Sequence, residues 1–174
     1  MRILDLGCGN IKEKGSIGID YRPCKAVDIV HDLNIYPWPI DSNSFDLVVC
    51  KHVIEHLDNI IKVVEETHRV LKDGGIIKIR TPHVSNIMSF RDPTHKWHFT
   101  SGSFDYFIKG LQENQVPYTN ISFKLLEKRL NFTNNIIRSI GKTISKLSME
   151  IYEKHFCRLF PAKELYLEMQ AIKL

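Results

Sequence analysis

The 174-residue sequence contains no apolar run approaching the roughly 20 residues that cross a bilayer as a helix. Its four cysteines, Cys8, Cys24, Cys50 and Cys157, are scattered, and none stands in C-x-x-C spacing. That argues against a disulfide framework or a cysteine-built zinc site and suits reduced thiols in a cytoplasm. The opening Met1-Arg2-Ile3-Leu4-Asp5 lacks a cationic region followed by a long apolar stretch, so no secretory signal is expected. Repeats, low-complexity tracts and linker-like stretches are missing too, which leaves one domain with one core over 1–174. Excess charge is small. A formal +4 permits an anionic partner without demanding one, and a nucleic-acid partner is not expected.

What is present is a globular composition, 43% hydrophobic and 25% charged. Short apolar runs alternate with turn signals through the first half: Arg2–Leu6, Ser16–Asp20, Ala26–Leu33, Phe45–Cys50 and Ile76–Arg80. Runs this short, with few alternating polar residues, suit parallel strands buried on both faces. Val53, Leu57, Ile60, Ile61, Val64 and Thr67 recur at helical spacing up to Val70-Leu71, and Lys72-Asp73-Gly74-Gly75 ends the helix. Strand, helix and strand at this spacing form a right-handed crossover. The implied fold is α/β, a doubly wound, mostly parallel sheet. Ile121–Phe132 and Leu165–Lys173 read as two late strands, and Ser101–Leu111 as a short helix with Phe104, Phe107 and Ile108 inward.

Leu4-Asp5-Leu6-Gly7-Cys8-Gly9-Asn10 directly follows the first strand. Glycines there let a ligand approach the backbone where a Cβ would collide. The dinucleotide version of this turn needs a third glycine where Lys12 stands, so a tight turn without a ligand remains an alternative. Asp20 lies just past the second run, where a carboxylate can accept both hydroxyls of a ribose, or serve only as a turn residue. His31-Asp32-Leu33 follows the third run and offers a polar contact and an apolar wall, with Asp32 alternatively a helix cap. Trp38-Pro39-Ile40-Asp41-Ser42-Asn43-Ser44-Phe45-Asp46 leads into the fourth run, which ends Lys51-His52-Val53-Ile54-Glu55-His56-Leu57. In an open parallel sheet these strand ends line one rim.

These blocks, in order from Arg2 to about Pro82, resemble class I S-adenosylmethionine-dependent methyltransferases, in particular the broad methyltransferase type 11 group. The resemblance implies a Rossmann-like sheet with an antiparallel edge strand, a cofactor half over 1–82 and a substrate-facing half over 83–174. It implies S-adenosyl-L-methionine as cofactor and S-adenosyl-L-homocysteine as product. Carried over by position, Gly7 and Gly9 flank the methionine part and Asp5 lies near its amino group. Asp20 holds the ribose, Asp32 and Leu33 the adenine, and Lys51 and His52 border the sulfonium. Two features depart from the group. Only Asn10 to Gly15 separates the glycines from the second run, and the usual helices before the first strand are missing. Both open one side of the pocket, which a partner subunit, such as the second copy in a homodimer, is a candidate to cover.

His52-Val53-Ile54-Glu55-His56 matches H-x-x-E-H, and on a helix His52 and His56 would share a face able to grip zinc. A third ligand is not evident, so no metal centre is expected and His56 reads as a packing or pocket-wall residue. Arg91-Asp92-Pro93-Thr94-His95-Lys96-Trp97-His98-Phe99 gathers cationic, aromatic and imidazole groups in a loop after the fifth strand. Arg91, His95 and His98 are the substrate-binding candidates; a loop pinned by Asp92 capping and aromatic packing is the plainer reading. Methyl transfer needs placement above all, and a base only for a hydroxyl or protonated amine. His95 is the first candidate for that base and His52 the second.

Asn134–Phe160 reads as one long helix with Ile136, Ile140, Ile144, Leu147 and Ile151 as a stripe. Arg138, Lys142 and Lys146 lie opposite, either as a solvated face or as a peripheral membrane contact through 136–151. The expectation is a cytoplasmic methyltransferase acting on a small polar acceptor, such as a glycan or cell-envelope precursor. A non-catalytic cofactor- or partner-binding module is the alternative, and RNA methylation a further one.

Overall fold

A computed structural model describes residues 1–111, 118–133 and 136–173. Seven strands form one sheet in the order β3-β2-β1-β4-β5-β7-β6. They are β1 (Ile3–Leu6), β2 (Ser16–Asp20), β3 (Ile29–Val30), β4 (Phe45–Lys51), β5 (Leu71–Pro82), β6 (Ser122–Asn131) and β7 (Glu164–Ile172). The first five pair in parallel, while β7 runs antiparallel to both β5 and β6. The antiparallel strand thus lies one place in from the edge. The chain moves outward from β1 to β3, then returns to β4 on the other side of β1. Strand order reverses there, and the tips of β1 and β4 part to leave a crevice.

Alternate strand positions divide the sheet into two unlike faces. Leu4, Leu6, Val48, Ile77, Ile79, Leu165, Leu167 and Met169 point into the core and are buried. Helix α1 (Ile60–Val70) packs there through Val63, Val64, Thr67 and Val70, capped by Asn59, whose side chain accepts from the Lys62 amide. The helix is shorter than its sequence pattern, because Ile54–His56 forms a separate 3-10 turn before it. The opposite face carries Ile3, Leu47, Lys78, Arg80, Tyr166 and Glu168, all partly exposed. A shallow hollow of about 480 Å³ runs over it. Residues 7–15 and 21–28, which join β1 to β2 and β2 to β3, form no helix to cover this face. Ion pairs suit it to water instead: Lys78 to Glu168 and Arg80 to Glu164, each at 3.0 Å.

The second half departs further from its sequence pattern. Ser101–Leu111 contains only a 3-10 turn, Asp105–Phe107, although Phe104, Phe107 and Ile108 are buried as expected. A short α2 (Met88–Arg91) precedes it. The expected long helix is broken into α3 (Ile136–Leu147), α4 (Met149–Ile151) and a π-helical turn, Tyr152–Phe156. Ser148 is extended at φ −157° and its side chain accepts from the Ile151 amide, which ends one helix and caps the next. Residue 134 and the side chains of 136–138, Ile136 and Arg138 among them, lie outside the described residues. Of the isoleucine stripe of α3, Ile144 is half-buried against the core, but the fully buried positions lie beside the stripe. Gly141 and Ser145 are buried, and a Cβ on Gly141 would stand 2.7 Å from Phe160 Cβ. Ile140, Leu147 and Ile151 consequently remain 49%, 84% and 52% exposed.

Candidate functional site

The rim formed by the tips of β1, β2 and β4 is built first by backbone geometry. Gly7 has φ +58°, a region that favours glycine, and a Cβ there would meet Val53 Cγ2 at 2.4 Å. The Gly9 amide donates to Asp20 Oδ2 and the Arg22 amide to Asp20 Oδ1, both at 3.0 Å. One carboxylate therefore ties the glycine bend to the turn after β2. Asp32 shapes the next turn by accepting from the Asn34 amide, and the Trp38 indole N–H fixes the Leu33 carbonyl at 3.1 Å.

These tips enclose a hollow of about 820 Å³. Gly7, Gly9, Asp20, Asp32, Leu33 and His52 all line it, so six of the residues assigned to the cofactor converge on one space. Its size is that of a ligand pocket. The bare bend, the carboxylate at the tip of β2 and the apolar Leu33 wall fit the methionine, ribose and adenine parts of an adenosyl ligand. Asp20 also holds a turn, the alternative given it from sequence, whereas Asp32 caps a turn and not the helix its alternative supposed.

Asp5 and Lys51 sit elsewhere. Asp5 is buried behind the bend, where its Oδ2 accepts from the Glu13 amide at 2.7 Å, and burial raises its pKa. Lys51 does not border this hollow. It occupies the same strand face as Leu47 and Val49, pairs with Glu13 at 2.5 Å and lines the hollow on the open face of the sheet. The two-residue alternation along β4 sends it there, while His52 turns to the rim.

His52 takes φ +53°, a left-handed conformation uncommon for a side-chain-bearing residue and frequent at functional sites. Its ring stands between two buried carboxylates, with Nδ1 3.5 Å from Glu55 Oε1 and Nε2 3.2 Å from Glu164 Oε1. Hydrogen bonding and charge from Glu55 and Glu164 outweigh desolvation and raise its pKa. Burial works against the charge of Glu164, but Arg80 and Lys163 hold its carboxyl below the usual range. Sequence reasoning missed Glu164 altogether, because no local pattern links it to a histidine 112 positions away.

The loop after β5 is placed differently from expectation. Pro93, Thr94 and Lys96 reach the hollow, whereas Arg91, His95 and His98 are not among its lining residues. Arg91 ends α2 in an exposed position. The His98 ring stacks on Phe90 at 4.0 Å and its Nδ1 lies 2.9 Å from Ser89 Oγ. The His95 ring is 8% exposed and lies edge-on to His56, centroids 4.7 Å apart. Of the three predicted residues, His95 and His98 are thus engaged in contacts within the loop and Arg91 is exposed, while Pro93, Thr94 and Lys96 are the ones that reach the hollow. The H-x-x-E-H segment does not bring His52 and His56 onto one helix face. The segment is a 3-10 turn, and His52 faces Glu164 while His56 faces His95.

Comparison with known proteins agrees with this geometry. Residues 4–79 match the family model described as a methyltransferase domain. A curated protein of Mycolicibacterium smegmatis, described as a "probable S-adenosylmethionine-dependent methyltransferase", is 32% identical over 114 residues, 55% of this chain and 44% of its own. The chain thus spans less than half the length of that relative. A crystal structure of a SAM-dependent methyltransferase from Archaeoglobus fulgidus superposes with a TM-score of 0.59 at 19% identity, covering 97% of this chain and 85% of that one. The cyclase SpnF superposes at 0.60 and 15% identity over 98% and 74%. The fold of these solved structures is therefore shared by this chain, and S-adenosylmethionine is the cofactor that the curated relative's description names.

Proposed function

From a methyltransferase-domain sequence over 4–79 folded on the sheet of that class, we propose that the protein is an S-adenosylmethionine-dependent methyltransferase acting on a small polar acceptor. The convergence of Gly7, Gly9, Asp20, Asp32, Leu33 and His52 on one hollow carries this reading. Bound there, the cofactor supplies an electrophilic methyl group on sulfur. His52 is the base: it lines the hollow, and Glu55 and Glu164 fix its ring and stabilise the imidazolium formed on accepting a proton. His95, the first choice from sequence, stands behind the wall. Lys96 offers a cation to the acceptor at the Thr94 edge of the hollow, a lining suited to a sugar or phosphate-bearing compound such as a glycan or cell-envelope precursor.

The exposed Ile140, Leu147 and Ile151, on a segment that also exposes Lys142 and Lys146, support a peripheral contact with an anionic membrane. No helix among the described residues is long and apolar enough to cross one. Calorimetric titration with S-adenosylmethionine and S-adenosylhomocysteine tests the cofactor reading. A labelled-methyl screen over sugars, lipid-linked glycans and RNA then tests the acceptor class. Binding without transfer to any acceptor would leave a cofactor-binding module instead.

A further inference from the structure

Behind the wall of the hollow, Glu55, His56 and His95 come together from two separate segments. One ring nitrogen of each histidine and a carboxylate oxygen of Glu55 lie within 4.8 Å of one another. Glu55 is 1% exposed, and among the described residues its Oε1 meets no well-formed hydrogen bond beside the long 3.5 Å approach of His52 Nδ1. A buried carboxylate oxygen left this way is costly unless something else satisfies it.

The surrounding hydrogen bonds orient all three side chains. Thr81 Oγ1 donates to Glu55 Oε2 at 3.0 Å. His95 Nδ1 faces the Ser89 carbonyl at 3.0 Å, an acceptor only, so Nδ1 carries the proton and Nε2 keeps its lone pair. Thr94 Oγ1 donates to Asp92 Oδ1 at 2.6 Å and lies 2.9 Å from His56 Nδ1. With its proton committed to Asp92, the hydroxyl accepts from His56 Nδ1, and His56 Nε2 is also left with a free lone pair. Imidazoles whose second nitrogen is held by a carbonyl or hydroxyl, beside an oriented carboxylate, form the outer arrangement typical of metal-bound histidines.

We propose that Glu55, His56 and His95 bind a divalent transition-metal ion of the zinc class at the edge of the hollow. Two imidazoles and one carboxylate are a known ligand set for such ions and leave a coordination position open. Bond lengths of about 2.0–2.1 Å put tetrahedral ligand atoms ~3.4 Å apart, so the cluster closes by roughly 1 Å or somewhat more on binding. His56 and Thr94 line the hollow, so the ion borders the space in which an acceptor sits. Its open position suits a water or an acceptor oxygen. The H-x-x-E-H segment thus supplies Glu55 and His56, and the remote His95 takes the part that sequence spacing gave to His52.

The test is metal binding and does not depend on activity. Protein stripped with a chelator is titrated with Zn²⁺ by calorimetry and with Co²⁺ by visible absorption. One ion per chain and the d–d bands of a low-coordinate Co²⁺ site are expected. His95→Gln and His56→Gln should each weaken binding at least ~10-fold, and Thr94→Val about 10-fold by releasing the His56 ring that its hydroxyl orients. His155→Gln, at an exposed site on the π-helical turn, should leave binding unchanged. Circular dichroism of each variant separates loss of ligands from loss of fold, and Thr94→Val serves if a histidine variant does not fold. Absence of saturable binding, or binding that survives His95→Gln, overturns the proposal. Titration of the same samples with S-adenosylhomocysteine keeps the two readings apart: metal binding without adenosyl binding removes the proposed function and leaves the ion site.

Discussion

His52 Nε2 stands 3.2 Å from Glu164 Oε1, so the tip of β4 is tied to the start of β7 across the intervening β5. The same imidazole faces Glu55 on its other nitrogen, and Arg80 holds the second oxygen of Glu164 at 3.0 Å. A residue lining the hollow at the tip of β4 is thereby held by a carboxylate from the last strand of the chain.

The raised pKa of His52 sets a pH dependence. A base must be unprotonated to act, so the rate should rise with pH through a value above the ordinary ~6.5 of histidine. Stability runs the other way. The pair's contribution is fully present below the unfolded value of ~6.5 and is lost as pH rises through the folded value. Glu164→Gln should move the kinetic limb down in pH and cost about 1.5–3 kcal/mol of stability. His52→Ala should lower kcat ~100-fold or more with little change in cofactor affinity. A pH–rate profile unmoved by Glu164→Gln would leave the ion pair a packing feature.

Asp20→Ala should weaken S-adenosylhomocysteine binding at least ~10-fold, about 1.4 kcal/mol, in calorimetry. It also removes the acceptor for the Gly9 and Arg22 amides, so a modest fall in melting temperature is expected while the protein stays folded. Unchanged affinity would reduce Asp20 to a turn residue.

Lys51→Ala should leave adenosyl affinity within about twofold and cost no more than ~1 kcal/mol of stability, since an exposed pair with Glu13 is all it breaks. A tenfold loss of affinity would mean that the lysine reaches the rim in solution.

For the α3 face, sedimentation with vesicles containing anionic phospholipid is the measurement. Wild type should bind, and less at high salt, because Lys142 and Lys146 contribute through screened charge. Leu147→Glu together with Ile151→Glu should abolish binding, each residue losing the ~1.5–3 kcal/mol available from burying an aliphatic side chain. Equal sedimentation with neutral vesicles, or none at all, would sink the membrane contact.

The strands of the first half and the body of α1 were legible because their signals are local: apolar runs of strand length, a 3.6-residue stripe up to Val70, and glycines at the turn into the crevice. The same locality made the six lining residues readable, since Gly7, Gly9, Asp20, Asp32, Leu33 and His52 stand at or just past strand tips that share one edge of the sheet. Sequence spacing could not show that Lys51 leaves by the far face, because that depends on the strand's phase relative to the core. Nor could it show that α3 packs by Gly141 and Ser145, where close approach to Phe160 outweighs the burial of larger side chains. Glu164 against His52 and His95 against His56 are pairings across distant segments, and only the closed sheet brings them within reach. Periodicity and turn chemistry are properties of neighbours along the chain, whereas the partners of a titratable side chain are chosen by the fold.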